Sequence, residues 1–179
     1  MEQHAPLIVL IGPSGSGKST HLSELALRYS FILLSTETDR PQRPAEDTVT
    51  HTFISTGEIM QKIHLGQYLG HGSMHGYHYG LPPIPNTILP VVVPLRAPFI
   101  PAVRQHRPDA AVIQFEASPE TLIERLHVRG DSDRADSKQL ALETAMGRKL
   151  TSVVISTDQP FEASFAEFER IWRDISRRQ

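Results

Sequence analysis

A three-layer α/β fold, with one five-stranded parallel sheet and helices on both faces, is predicted by three features of this 179-residue chain. Short apolar runs rich in β-branched residues alternate with helix-patterned segments, the mark of successive strand-helix-strand units. Those runs are apolar throughout rather than at every second residue, as strands buried on both faces require. A glycine-rich turn joins the first run directly to the first helix.

In chain order, the spacing predicts core strands at Leu7–Ile11, Phe31–Leu34, Pro90–Val93, Ala110–Phe115 and Ser152–Ile155. The first helix runs from Ser19 to about Tyr29, with Leu22, Leu25 and Ala26 on one face. A later helix opens at Ser118-Pro119-Glu120, a capping serine followed by proline at the first helical position and an acid at the positive helix end. It continues through Leu122 and Leu126. The last helix carries Phe161, Phe165, Phe168, Trp172 and Ile175 at helical spacing, which reads as a core stripe.

Two segments interrupt the alternation. Residues of about 35–85 hold a second pattern, His51–Ile54 and then a helix with the capping box Ser55-Thr56-Gly57-Glu58, and read as an insertion that binds an acceptor. Residues of about 128–147 are charged, with Arg129, Asp131, Asp133, Arg134 and Asp136, and read as a mobile lid. The proline-rich stretch from Pro82 to Pro101 reads as loop at both ends of the third strand. The whole, 1–179, is expected to be a single domain with these two additions.

The turn itself, Gly12-Pro13-Ser14-Gly15-Ser16-Gly17-Lys18-Ser19-Thr20, is a phosphate-binding loop. Glycines let main-chain N–H groups approach a triphosphate at the positive end of a helix. Lys18 is placed to reach the β and γ phosphates, and the Ser19 hydroxyl to hold magnesium. Thr20 is expected to assist binding from the helix. ATP with magnesium is therefore the expected cofactor pair, and a P-loop NTPase fold the expected architecture.

Composition excludes several other classes. The net charge of -2 carries no basic footprint for nucleic acid. No apolar run approaches the ~20 residues of a membrane span, and Leu7–Ile11 is too short for a signal-peptide core. A cytoplasmic location is expected. The absence of cysteine rules out disulfides and cysteine zinc sites. His71, His75 and His78 are spaced as ligands could be, but Gly70, Gly72, Gly76 and Gly80 oppose the helix that would align them, so a phosphate or sugar contact is preferred over a metal. Glu37, Asp39 and Asp47 read as solvated loop acids, with a role toward magnesium or the acceptor as the alternative.

Beyond the loop, Arg40-Pro41-Gln42-Arg43-Pro44-Ala45-Glu46, Tyr79-Gly80, Ser118-Pro119-Glu120-Thr121-Leu122 with Arg125-Leu126, and Arg129-Gly130 follow in an order and spacing that resembles the guanylate kinase family. The resemblance implies that Arg40 and Arg43 grip the phosphate of a nucleoside monophosphate, a task suited to guanidinium forks. Thr36, Glu46, His51, Tyr79 and Arg96 complete the expected acceptor side. Arg125 and Arg129 belong with the bound ATP, and Arg129 leads the lid arginines, with Arg134 behind it. Pairing of Arg125 with Glu124 on its own helix is the bland alternative. The expected partner is a small phosphorylated acceptor, with a homodimer as the candidate assembly.

The chain departs from that family where the base is read. Gly70 stands at the position of an acid, Leu81 at that of a hydroxyl, His51 at that of a phosphate-binding tyrosine, and Pro94-Leu95-Arg96 replaces an Asp-rich strand end. Ser156 replaces an asparagine beside the adenine, and Leu140 stands near the place of a lid arginine. Gly76-Tyr77-His78-Tyr79-Gly80 and Arg96 are instead similar to the ribose 1,5-bisphosphate kinases, which need no guanine pocket. A non-catalytic binding module of guanylate-kinase type is a further alternative, opposed by the complete phosphate loop. A nucleoside triphosphatase switch is opposed by the lack of an Asp-x-x-Gly segment and of Asn-Lys-x-Asp.

Overall fold

The structure is a computed structural model that describes residues 4–43, 50–74, 76–151 and 153–177. In chain order the elements are β1 (Leu7–Ile11), α1 (Lys18–Arg28), β2 (Ile32–Leu33), β3 (Thr36–Thr38), β4 (His51–Phe53), α2 (Thr56–His64), β5 (Gly70–Met74), β6 (Tyr77–Leu81), β7 (Val91–Pro94), α3 (Ile100–His106), β8 (Ala111–Glu116), α4 (Pro119–Val128), α5 (Ser137–Arg148), β9 (Val153–Ser156) and α6 (Phe161–Ser176).

Five strands form the expected parallel sheet, in the order β2-β7-β1-β8-β9. β1 is central and buried along its whole length. Its alternating side chains feed two cores. Leu7, Val9 and Ile11 join Val91, Val93, Ile100 and Val103 on one face, while Ile8 and Leu10 join Leu22, Leu25, Phe115, Phe168 and Trp172 on the other. The predicted stripe of α6 thus packs with α1 against the second face. Strand bounds shift by one residue from expectation at β7, β8 and β9, and Ser152 lies outside the described residues. β2 is shorter than Phe31–Leu34 because it is an edge strand paired only with β7.

The loop after β1 emerges between β7 and β8, where neighbouring connections leave in opposite directions. That switch point opens a crevice at the carboxyl ends of the strands.

The insertion contains more structure than its sequence announces. β4, β3, β6 and β5 form a second sheet in that order, with β3 parallel to β4 and β6 antiparallel to both β3 and β5. Its glycines gave no strand pattern because the ladder is held by main-chain bonds, while Tyr79 and Leu81 anchor it to the first core. α2 begins on the predicted capping box: Ser55 N donates to Glu58 Oε2 at 2.9 Å and Glu58 N to Ser55 Oγ at 3.2 Å. The segment after β7 corrects the loop expectation, since a 3-10 turn at Ala97–Phe99 leads into α3. Pro98 and Pro101 sit in the first turn of each, where the missing N–H costs nothing.

Residues 128–147 carry the end of α4, a 3-10 turn at Ser132–Arg134 and most of α5. Leu140 of α5 is buried with Ala117, Leu122 and Leu126. Further along, Gly147 lets α5 approach β8 so closely that a Cβ there would enter the buried amide of Gln114, whose Nε2 donates to Thr144 O at 3.0 Å. Gly147→Ala should therefore destabilise the protein by roughly 1–3 kcal/mol through overpacking, read as a fall in denaturant midpoint; an unchanged midpoint would show that α5 is not docked this tightly.

Candidate active site

The crevice is walled by the phosphate loop on one side and by the second sheet, the end of β7 and the α4–α5 connection on the others. Its lining includes Gly12, residues 14–20, Thr36, Thr50, His51, Tyr79, Arg96, Arg129, Asp131 and Arg134.

Local sequence builds the loop. Gly12 has φ 145°, and a Cβ there would run into the carbonyl oxygen of Phe115. Gly17 caps α1 with φ 85°, a left-handed conformation that favours glycine. Beneath the loop, buried His21 meets Gly17 O through Nδ1 at 2.9 Å and Ser164 Oγ through Nε2 at 2.8 Å, tying the start of α1 to α6. Burial holds its pKa below the usual value. Arg125 does not pair with Glu124. It donates to Gly15 O at 3.1 Å, Thr157 Oγ1 at 2.9 Å and Thr157 O at 2.6 Å, and so braces the outside of the loop.

Lys18 Nζ donates to Gly12 O at 2.6 Å, Pro13 O at 3.0 Å and Ser16 Oγ at 3.2 Å. Its pKa is pushed down to about 7, first by burial and then by the Arg96 guanidinium, with Arg134 and Arg129 adding to the effect. Ser19 lines the crevice beside it, as do Ser14 and Thr20. Pro13 is buried in the turn and does not line the crevice.

On the wall expected to face the acceptor, Thr36 Oγ1 and His51 Nδ1 lie 2.7 Å apart, and the His51 ring sits edge-on to Tyr79 with centroids 6.0 Å apart. Arg40, only 8% exposed, donates from Nη1 to Pro41 O at 3.0 Å and lies 5.3 Å over the Phe53 ring. Arg43 Nε approaches Asp131 Oδ1 at 3.4 Å. Neither arginine forms part of the crevice wall; Arg43 reaches it through Asp131. Glu46 lies outside the described residues, as do His75 and Asp47.

Arg96 projects from the end of β7 onto the crevice wall and donates to Glu143 Oε1 of α5 at 3.3 Å. Arg129, at the end of α4, lines the mouth and is exposed. Arg134 is partly buried, and its pKa is lowered to about 10 by burial, then by Arg43, Arg96 and Arg40, against a raising effect of Asp131. Leu140 and Gln139, near the expected lid arginine, offer no cation, since Leu140 is core and Gln139 bonds Glu143 at 3.1 Å.

Of the acids expected in solvent, Glu37 and Asp39 are paired instead. Glu37 lies on β3 and accepts from Lys62 Nζ at 2.7 Å and Tyr68 OH at 2.5 Å. Asp39 accepts from His78 N at 2.7 Å and pairs with His78 Nδ1 at 2.8 Å. The expected solvation fails because β3 and β6 bring their partners from far along the chain. No group of three metal-ligating side chains occurs among the described residues. At the positions where the resemblance implies base reading, Leu81 is fully buried and a side chain at Gly70 would meet Ala102 Cβ at 2.9 Å. The sequence reading missed Thr50 and the roles of Asp131 and Phe99 in the wall; only the fold reveals them, because no local motif marks them.

Burial favours the neutral amine of Lys18, so its ammonium form is fully present only below pH 7, and a triphosphate selects that form. ATP binding at pH 8 should therefore take up close to one proton, and less at pH 7. Calorimetry in two buffers of different ionisation enthalpy measures this; heats that do not depend on the buffer at pH 8 would show that the amine is already charged.

Comparison with known proteins agrees with this geometry. A family model described as an AAA domain (AAA_33) matches residues 7–151. The chain is 36% identical to a guanylate kinase of Thermosynechococcus vestitus over 78% of each chain. It is 35% identical to a guanylate kinase of Thermobifida fusca over 80% of this chain and 77% of that one. The crystal structure of guanylate kinase from Anaplasma phagocytophilum superposes with a TM-score of 0.72, at 16% identity, over 100% of this chain and 90% of the other, which shows the shared fold. On fold, crevice and identity over most of both chains, this protein belongs to the guanylate kinase family and is a kinase.

Proposed function

We propose that this kinase transfers the γ-phosphoryl group of ATP to the phosphate of a small phosphorylated acceptor, with nucleoside monophosphates as the acceptor class. The observation that carries this reading is the Arg43–Asp131 contact at 3.4 Å. It sets the paired-arginine segment against the same crevice wall that holds Lys18 and the phosphate loop, so donor and acceptor phosphates can meet.

In this reading the main-chain N–H groups of Gly12 and residues 14–20, with Lys18, hold the β and γ phosphates. Arg129 stands at the mouth on the same side, and Arg125 supports the loop. Arg40 and Arg43 hold the acceptor phosphate for in-line attack, with Glu46 expected nearby. Thr36, His51 and Tyr79 form the wall behind it. Magnesium suits this site: the Ser19 hydroxyl lines the crevice, and an ion held mainly by phosphate oxygens and water needs few protein ligands. When bound, it neutralises charge on the β and γ phosphates. Catalysis then rests on positioning and charge, with no covalent enzyme intermediate.

Residues of about 35–85 act as the acceptor-binding insertion and about 128–147 as the lid of one kinase domain spanning 1–179. No helix among the described residues is long and apolar enough to cross a membrane, and we assign the enzyme to the cytoplasm. Guanine selectivity is opposed by the closed space at Gly70 and by buried Leu81, since a site without hydrogen-bond partners for a base loses discrimination. A second reading, a ribose 1,5-bisphosphate acceptor, is favoured by Arg96, a cation on the crevice wall where the family reads the base.

An ADP-release assay with ATP and magnesium across GMP, dGMP, AMP, UMP, CMP and ribose 1,5-bisphosphate separates these readings. Turnover on a nucleotide should vanish in Lys18→Ala and fall on the order of 10²-fold in kcat/KM in Arg40→Ala. Turnover only on ribose 1,5-bisphosphate selects the second reading. ATP binding without turnover on any acceptor would refute the acceptor assignment and favour a binding module.

A further inference from the structure

We infer that Arg134 carries the charge of the phosphoryl group in transit, a role for which the resemblance implies an arginine near Leu140 of α5. The inference rests on the phosphotransfer reading above and assigns a catalytic residue within it. The helix position cannot serve, because Leu140 is packed among Ala117, Leu122 and Leu126. Arg134 comes from the 3-10 turn before α5. Its main-chain N–H donates to Asp131 O at 3.0 Å, which fixes the turn beside the carboxylate that contacts Arg43.

The state of its side chain separates Arg134 from its neighbours. Lys18 is held by three acceptors, Arg96 by Glu143, Arg43 by Asp131 and Arg125 by the loop and Thr157. Arg134 makes no side-chain hydrogen bond or ion pair among the described residues, although it is partly buried on the crevice wall. Arg129 shares this lack of a partner but is exposed at the mouth. A partly desolvated guanidinium whose neighbouring charges are mainly positive, with Asp131 opposing them, is costly to the fold, and such cost concentrates at sites that await a ligand. Arg134 also lies in the field of both halves of the crevice: it lowers the pKa of Lys18 and is itself lowered by Arg43 and Arg40.

In the transfer, an acceptor phosphate oxygen forms the new bond to the γ-phosphorus as the bond from that phosphorus to the β–γ bridging oxygen breaks. The bond's electron pair leaves with ADP. Charge spreads over the three equatorial oxygens in flight, and the guanidinium fork of Arg134 is placed to bind two of them.

Arg134→Ala should lower kcat on the order of 10³-fold and leave both KM values within about threefold, the pattern of an interaction made mainly in the transition state. Its Tm should be equal to or above that of the wild type, because a desolvated like charge is removed. Arg134→Lys, which keeps the charge but not the fork, should fall between. A readout that needs no acceptor is the affinity for ADP with magnesium and aluminium fluoride, a stand-in for the phosphoryl group. Wild type should bind this set more tightly than ADP alone, and Arg134→Ala should lose the gain while keeping ADP affinity. A kcat within about fivefold of wild type, a loss of activity matched by a fall in Tm, or an aluminium fluoride gain that is absent from wild type or survives in the mutant would each overturn the assignment. Failure of wild type to turn over any acceptor would instead count against the phosphotransfer reading, with the fluoride titration still deciding Arg134.

Discussion

Like charge gathered into one crevice is the constraint around which the rest of the molecule is arranged. Among the described residues, Lys18, Arg96, Arg129 and Arg134 line it against one lining carboxylate, Asp131. Two unit charges a few ångströms apart repel by several kcal/mol even at an effective dielectric near 20. The molecule tolerates this because its stability comes from elsewhere. β1 is buried from end to end, and α1 and α6 seal one face with Phe115, Phe168 and Trp172. Charge then collects only at the carboxyl edge of the sheet, where the strands stop and the helix starts point inward. Lys18 shows the tension directly, since its pKa sits near 7 although three acceptors surround its nitrogen.

The wall opposite the phosphate loop is shaped by α3 as well as by the second sheet. α3 and the turn before it bring Phe99 onto the wall and Ala102 into the space that a side chain at position 70 would need. Arg96, held by Glu143 from α5, connects this side to the lid. In the proposed reading, this contact links the α4–α5 segment to the wall that faces the acceptor. Asp131 does the same for the paired-arginine loop. In the proposed reading, phosphate recognition by Arg40 and Arg43 is kept while the base-reading groups change, because the two sets stand on different elements.

The central sheet and phosphate loop were legible because each rests on local pattern. Continuous apolar runs identify buried strands, Gly12 and Gly17 stand where positive φ is needed, and Ser55 and Ser118 cap the helices they were expected to cap. The second sheet was not legible. Gly70, Gly72 and Gly80 contribute main-chain bonds to β5 and β6 but no side-chain pattern. α3 was hidden because Pro98 and Pro101 read as breakers, whereas both occupy first-turn positions. In the site, Arg125 was expected beside the bound ATP, with a helical neighbour as the alternative, and it braces Gly15 and Thr157 across a long sequence separation. Asp39 and Glu37 were expected in water but meet His78, Lys62 and Tyr68 through sheet pairing and α2. Local rules supplied the elements; contacts between distant segments required the fold.

The claim that donor and acceptor phosphates occupy one continuous cationic crevice has a direct test in a single ligand that spans both halves. The affinity of the wild-type protein for adenosine joined to a second nucleoside through five phosphates can be compared with its affinity for ATP by calorimetry at fixed magnesium and salt. Linking two bound groups makes the second contact intramolecular, so the spanning ligand should bind at least ~10²-fold more tightly than ATP. Equal affinities would mean that the two phosphate sites are not held in register, and the account of the crevice would be wrong.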